Sequence, residues 1–287
     1  VKRIITTKIE HHAVLYPALA LQKEFGIQVD FVAILPDGNI DVTHLAELLS
    51  QEVTTLVSLM HVNNEVGVVL DLERIAIICK EHNALFHSDT VQSVGKTEID
   101  LKALPIDFIS ASAHKFHGPK GIGFAFIRKN SGLQPLLLGG EQEKGMRGGT
   151  ESIYQVAGMA KALEMAYANL DSERACISDL KEYCANQLAQ RFPNSKIIGS
   201  KNNFYNIINV VLPLSADKTG MLLFHLDMKG IAVSRGSACQ SGSSNPSHVL
   251  AEILSPEELV QPSLRISFSH YNTKEEIDYL LEVLASV

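Results

Sequence analysis

A chain of 287 residues has, at about 100 to 200 residues per domain, the length of two domains or of one large α/β domain. Its 46% hydrophobic and 20% charged residues match the globular average and exclude a disordered, collagenous or acidic-tail protein, and no apolar run approaches the ~18 residues of a membrane-spanning helix. Thirty-two acidic against 25 basic residues leave a formal charge of -7, so no global field draws the chain to phosphate backbones or anionic lipid, and direct nucleic-acid and membrane partners are not expected.

The chain opens at Val1 and has its first methionine at Met60, which reads as a fragment or processed form whose missing part lies upstream, with no export signal in VKRIITTKIE. Strand-length and helix-length apolar patterns then alternate: RIITTKI, HAVLYPALALQKEF, IQVDFVAIL, VTHLAELLSQ, TTLVSLM, LERIAIICKEH, ALFHS, IDFISAS and GIGFAFIR. That rhythm predicts an α/β fold with a mainly parallel central sheet. TTLVSLM and IDFISAS show little polar alternation, as strands covered by helices on both faces do.

From Glu151 a long helical stretch runs to Phe192, followed by NIINVVL, a helix near residues 217–229, a short strand IAVS and a strand SLRISFS. This predicts a large domain over 1–165 and a smaller α+β C-terminal domain over 166–287. Ser255-Pro256-Glu257-Glu258 and Thr273-Lys274-Glu275-Glu276 have the capping-box pattern of helix starts. Residues 235–247, RGSACQSGSSNPS, carry no apolar periodicity and read as a mobile loop. Four cysteines without a CxxC or zinc-finger spacing fit a reducing compartment and neither a disulfide framework nor structural zinc. Cys79, Cys176 and Cys184 fall in helical stretches as small buried hydrophobes.

In open parallel sheets ligands collect beyond the carboxyl ends of the strands. The residues there are His11 and His12, Asn63 and Asn64, Asp89 and Gln92, and Ser112, His114 and Lys115. A lysine and a carboxylate at adjacent strand ends, with imidazoles nearby, have three readings. Lys115 is a Schiff-base lysine and Asp89 the partner of a pyridine nitrogen; or His11, His12, His114 and His117 form a metal site; or Lys115 is a surface charge and Asp89 a loop cap.

The string SASAHKFHGPKGIG, taken whole, resembles the pyridoxal-phosphate cysteine desulfurases of the NifS/IscS type, within the class V aminotransferase family. The resemblance continues in family order through TKIEHHAV, MHVNNEVGVV, HSDTVQSVGK, GGEQEKGMRGGT, SRGSACQSGSSNPSHVL and LRISFSHYNT. It implies the fold-type-I, aspartate aminotransferase-like architecture of pyridoxal 5'-phosphate transferases. It also implies that Lys115 carries the cofactor, Asp89 bonds its ring nitrogen, His11 stacks on the ring and moves protons, and Gln92 reaches the ring hydroxyl. Ser112 and His114 would bind the phosphate, with Thr150 reaching it from the partner subunit of a homodimer. Asn64 contacts cofactor and substrate, and Arg265 joins it on the substrate carboxylate. His12 and His117 read as bystanders and Arg147 as a surface ion pair.

Cys239 selects the reaction, because cofactor and lysine alone serve transamination, decarboxylation and elimination equally. A thiol flanked by Ser and Gly can take sulfur from L-cysteine as a persulfide, leave L-alanine, and pass the sulfur to an iron-sulfur scaffold or a tRNA-thiolation protein in the cytoplasm. The long polar segment after GSAC resembles the long-loop group. Rival readings are a selenocysteine lyase, an aminotransferase that needs no Cys239, and an inactive truncated fragment. The last arises because family members carry a further N-terminal stretch with a phosphate-binding loop that nothing here matches.

Overall fold

The computed structural model describes residues 1–199, 203–215, 218, 221–235 and 247–287. Six short strands, β1 (Arg3–Thr6), β2 (Gln28–Phe31), β3 (Thr55–Ser58), β4 (Leu85–Asp89), β5 (Phe108–Ser112) and β6 (Gly123–Ile127), form one sheet in the order β2-β1-β3-β4-β5-β6. Every neighbouring pair is parallel except β5 and β6, which gives the mainly parallel sheet expected of the alternating pattern. The order reverses between β1 and β3, the position at which such sheets open a crevice.

The β-branched run of β1 is buried along its whole length. It includes Arg3, whose guanidinium is satisfied by Thr55 Oγ1 at 3.2 Å, Gln51 Oε1 at 2.9 Å and the Leu48 carbonyl at 2.7 Å. A buried cation survives only with such a complete set of acceptors. Helices α1 (His12–Phe25), α2 (Val42–Leu49) and α3 (Leu72–Glu81) follow β1, β2 and β3. Leu45, Leu49, Ile75 and Cys79 from α2 and α3 pack with Ile5, Val57, Phe86 and Ile109 in the core of this sheet.

The long helical stretch is two helices, α4 (Ile153–Ala168) and α5 (Leu170–Arg191), joined at Asn169 with φ -107° and ψ 7°. The break has a packing cause. Met159, Ala162, Leu163 and Ala166 of α4 lie on the first core, whereas Ile177, Leu180, Cys184 and Leu188 of α5 belong to a second. Cys184 and Cys79 are buried as expected, and burial pushes both thiols up to about 12. Cys176 is exposed instead, because α5 offers only one face to that core.

The second core lies on an antiparallel sheet of β7 (Lys196–Ile197), β8 (Ile207–Val211) and β9 (Ser263–Ser267), in that order. Around it run α6 (Leu222–Met228), α7 (His248–Ala251), α8 (Pro256–Leu259) and α9 (Lys274–Ala285). Both capping boxes form, Ser255 with Glu258 and Thr273 with Glu276. IAVS is not a strand of this sheet; only Ser234 pairs, with Arg265 of β9. The predicted loop ends where Ser247 caps α7, and residues 236–246, Cys239 among them, lie outside the described residues.

Candidate active site

Four adjacent parallel strands end in the residues the sequence singles out. After β1 the chain reaches His11, which caps α1 by accepting the Ala13 N–H on Nδ1 at 3.1 Å. After β3, the Asn63 side chain accepts the Glu65 and Val66 N–H groups at 2.9 and 3.0 Å and donates to the Ile9 carbonyl at 2.9 Å. The tight turn so formed carries Asn64, which is 8% exposed and whose Oδ1 has no partner. A buried acceptor left unpaired costs stability unless a ligand or water completes it.

At the end of β4, Asp89 accepts the Val91 N–H at 2.9 Å, and Gln92 is half-buried on the turn beyond. β5 ends at Ser112, with its Oγ 2.8 Å from His114 Nδ1, and a 3-10 turn, Ala113–Phe116, carries His114 and Lys115. That turn lies tightly against the chain that follows. A Cβ on Gly123 would collide with the Ala111 carbonyl oxygen, and one on Gly118 would stand 2.9 Å from the Ala113 Cβ, so two of the motif's three glycines are sterically required.

Burial raises the Asp89 carboxyl above its ordinary range, against the Val91 N–H and the charges of His11 and Lys115, which favour the carboxylate. His114 is lowered by desolvation and then by Lys115, Lys120 and Lys96. Three ammonium groups therefore converge on the imidazole that lies beside Ser112, a field that attracts an anion. Burial pushes Lys96 down to about 8, with Lys115 acting in the same direction. It also pushes Glu10 up to about 8 and His61 and His87 down to about 4. Both of these histidines are thus neutral near pH 7.

Arg265 arrives from β9, and its Nη1 donates to the Asn64 carbonyl at 2.9 Å, so two residues 201 apart in sequence meet. Thr150 is exposed and forms no part of this cluster within one chain. Lys115 also lines a cleft of about 530 Å³ with Lys96, Phe116, His117, Glu173, Tyr205 and His270. His12 stacks between Tyr16 and His248, at 4.3 Å from each. His117 faces His270 at 6.0 Å, and Arg147 donates to the Gly148 carbonyl, not to a carboxylate. Among the described residues no three His, Cys, Asp or Glu side chains are placed to hold a metal.

Sequence reasoning did not single out Lys96, Glu10 or Glu65. Lys96 closes the motif HSDTVQSVGK and Glu65 lies inside MHVNNEVGVV, so the motifs held the signal while strand-end logic passed over it. The donor set fits pyridoxal phosphate: a buried carboxylate for a ring nitrogen, an amine for its aldehyde, an imidazole at a helix start for the ring face, and a Ser/His pair amid lysines for its phosphate.

The aminotransferase class-V family model matches residues 2–280. The chain is 39% identical to the cysteine desulfurase IscS of Dictyoglomus turgidum, over all of this chain and 72% of that protein. It is 42% identical to the cysteine desulfurase IscS of Clostridium botulinum, over 99% of this chain and 71% of that one. A solved NifS-like protein from Rickettsia africae superposes with a TM-score of 0.87 at 31% identity, over 99% of this chain and 75% of the other.

Proposed function

The chain belongs to the class V aminotransferase family and, within it, to the pyridoxal-phosphate-dependent cysteine desulfurases, and from that premise we propose how its own residues divide the work. What supports the reading is one observation: neighbouring parallel strands end in His11, Asn64, Asp89 and the Ser112–Lys115 turn, with Arg265 bonded to the Asn64 carbonyl.

Pyridoxal phosphate, when bound, supplies an electron sink for charge developing at the substrate α-carbon. Asp89, buried at the end of β4, would hold the ring-nitrogen proton where little solvent screens the interaction. Gln92 would bond the ring hydroxyl, and Ser112 and His114 would hold the phosphate in the field of Lys96, Lys115 and Lys120. Lys115 would hold the cofactor through Nζ and would provide the base for the α-proton of L-cysteine, with His11 as the second proton carrier. Arg265 and Asn64 bind the substrate carboxylate, a planar anion that suits a guanidinium fork.

Cys239 Sγ, as thiolate, then attacks the substrate sulfur. An S–S bond forms, the substrate C–S bond breaks with its electron pair left on carbon, and protonation of that carbon yields L-alanine. The products are alanine and an enzyme persulfide, and no external oxidant or reductant is consumed. The persulfide passes to an iron-sulfur scaffold or a tRNA-thiolation protein. We further propose a cytoplasmic homodimer in which Thr150 completes the partner's phosphate site. Residues 1–165 form the cofactor domain and residues 166–287 the smaller domain with the thiol segment.

The test is to load the purified chain with pyridoxal phosphate, reduce it with borohydride, map the modified peptide and assay L-cysteine. A visible band, modification at Lys115 and one alanine per sulfur released are expected. Cys239→Ser should keep the band and abolish turnover. Normal desulfuration by the serine variant would refute the persulfide route, and amino transfer to a keto acid that is indifferent to Cys239 would make the chain an aminotransferase.

A further inference from the structure

Lys96 stands on the turns that follow β4, against the turn that carries Lys115. Gly95, just before it, has φ +76°, and a Cβ there would lie 2.8 Å from the Phe116 Cβ and 3.3 Å from the Ala166 Cβ, so the chain comes this close only as glycine. The Lys96 N–H donates to the Ser93 carbonyl at 2.9 Å, and its carbonyl accepts from Tyr205 Oη at 3.2 Å and Arg174 Nη2 at 3.4 Å. None of these bonds uses the Lys96 side chain, which can therefore be changed without moving the turn.

Lys96 and Lys115 line the same cleft of about 530 Å³. The charges around it leave the Lys96 ammonium without a carboxylate. Glu173 of α5 lies 3.3 Å from His270 Nδ1, Lys161 of α4 is paired with Glu164 at 2.8 Å, Arg174 lies over the Tyr205 ring, and among the described residues no ion pair of Lys96 is present. Lys115 also faces Asp89, which favours its ammonium, and His114, which Lys120 crowds as well.

Burial lowers the Lys96 ammonium to about 8, and the Lys115 charge acts in the same direction. Repulsion is mutual, so Lys96 in turn disfavours the ammonium of Lys115. Below about 8 Lys96 keeps its proton, and a second charge in the cleft is then the costly one. Loss of one proton also relieves the crowding of three ammonium groups near His114. Attack on an aldehyde needs an uncharged amine, and a neighbouring cation is one way in which a lysine is kept so.

We propose that Lys96 activates Lys115 electrostatically, its ammonium holding the Lys115 amine in the uncharged form that attaches the cofactor aldehyde. Lys96 acts only through Lys115, as a positioning residue. The inference rests on Lys115 being the cofactor lysine of the desulfurase reading.

The experiment compares wild type with Lys96→Met, which keeps the stem and loses the charge, and Lys96→Arg, which keeps the charge at every pH. Each cofactor-free protein is pulsed with limiting acetic anhydride, which labels amines in proportion to their uncharged fraction, and labelling at Lys115 is mapped by peptide mass across neutral and alkaline pH. The rate at which Lys115 captures pyridoxal phosphate near neutral pH, fixed by borohydride, and thermal unfolding are measured beside it. Lys96→Met should raise the pH midpoint of Lys115 by about 1 unit and slow capture about 10-fold. Lys96→Arg should have a midpoint at or below that of wild type and capture within about threefold of it.

The proposal is overturned if Lys96→Met leaves the Lys115 midpoint unchanged or lowers it. It is overturned equally if Lys96→Arg captures the cofactor as slowly as Lys96→Met, since position 96 would then supply shape and not charge. Should Lys96→Met misfold, Lys96→Gln replaces it as the neutral variant with the same expected shift, and a midpoint above wild type in Lys96→Arg refutes the role by itself. Capture of the cofactor at another lysine would instead defeat the functional reading, while the Lys115 midpoint, read without cofactor, still reports on Lys96.

Discussion

The two sheets bring residues to the site in different ways. In the six-stranded sheet the parallel strands β1, β3, β4 and β5 all finish at one edge, so any side chain just past a strand end is a neighbour of the others. In the antiparallel sheet alternate strands finish at opposite edges and no such gathering occurs. Its one contribution, Arg265, comes from the middle of β9, directly opposite Asn209 of β8, and reaches the site by the length of its guanidinium arm. Parallel topology collects a site from loops near the chain's own strand ends. Antiparallel topology supplies a single long side chain across an interface.

Substitutions sharpen that contrast. The largest effect is expected in the parallel sheet: on the proposed role, Lys115→Ala should prevent covalent capture of the cofactor and lower turnover by about 10³-fold or more, a loss typical of a missing proton-transfer group. Retention of a borohydride-fixed band on another residue would show that the strand-end logic named the wrong lysine. Arg265→Lys, from the antiparallel sheet, should raise KM for L-cysteine by about 10- to 100-fold while the cofactor band persists, since the charge remains and the fork is lost. An unchanged KM would detach the second sheet from substrate binding.

Acid–base balance gives an intermediate effect. The Glu10 carboxyl, raised to about 8 from 4.5 mainly by burial, binds its proton more tightly in the folded chain. Its contribution to stability is therefore complete below the unfolded value and disappears as pH rises through about 8. Glu10→Gln should melt as wild type does near pH 4.5 and about 5 °C higher near pH 9, as calorimetry at the two pH values would register. His61 and His87, lowered to about 4 from 6.5, act on the acid side. What they contribute is intact above pH 6.5 and lost as pH falls towards 4, so acid should unfold the parallel-sheet core from within. A melting temperature flat across both windows would contradict both assignments.

The smallest effect belongs to the second region. Thr273→Ala breaks the capping box of α9 and should cost about 1 kcal/mol without altering the cofactor band. A loss of cofactor in that variant would mean that the far end of the second region is coupled to the site through the contacts between them, Asn64–Arg265 and Glu65–Ser247 among them.

Periodicity alone disclosed much of the architecture. The alternation from RIITTKI to GIGFAFIR demanded a mainly parallel sheet, because strands of that composition must be covered on both faces and parallel neighbours need helical crossovers. Strand-end position then pointed to His11, Asn64, Asp89 and Lys115. Local chemistry was equally legible in Ser255 and Thr273, whose capping boxes span only four residues.

Other features depend on partners that no local pattern contains. The helical stretch after Glu151 looks continuous, yet it breaks at Asn169 because its two halves pack on different cores. IAVS has strand composition but contributes only Ser234, since a strand exists by virtue of the edge it pairs with. Lys96 is brought into the field around His114 by folding, and the Arg265–Asn64 and Ser247–Glu65 contacts join residues 201 and 182 positions apart.

The sequence by itself determined the family and the six strands of the larger sheet, because those follow from residue type and short-range spacing. Only the tertiary structure decided which side of β1 each strand takes, which helix face is buried, and that Arg265 and Ser247 both reach the Asn64–Glu65 turn. Those choices are made by long-range packing and by the requirement that every buried polar group find a partner.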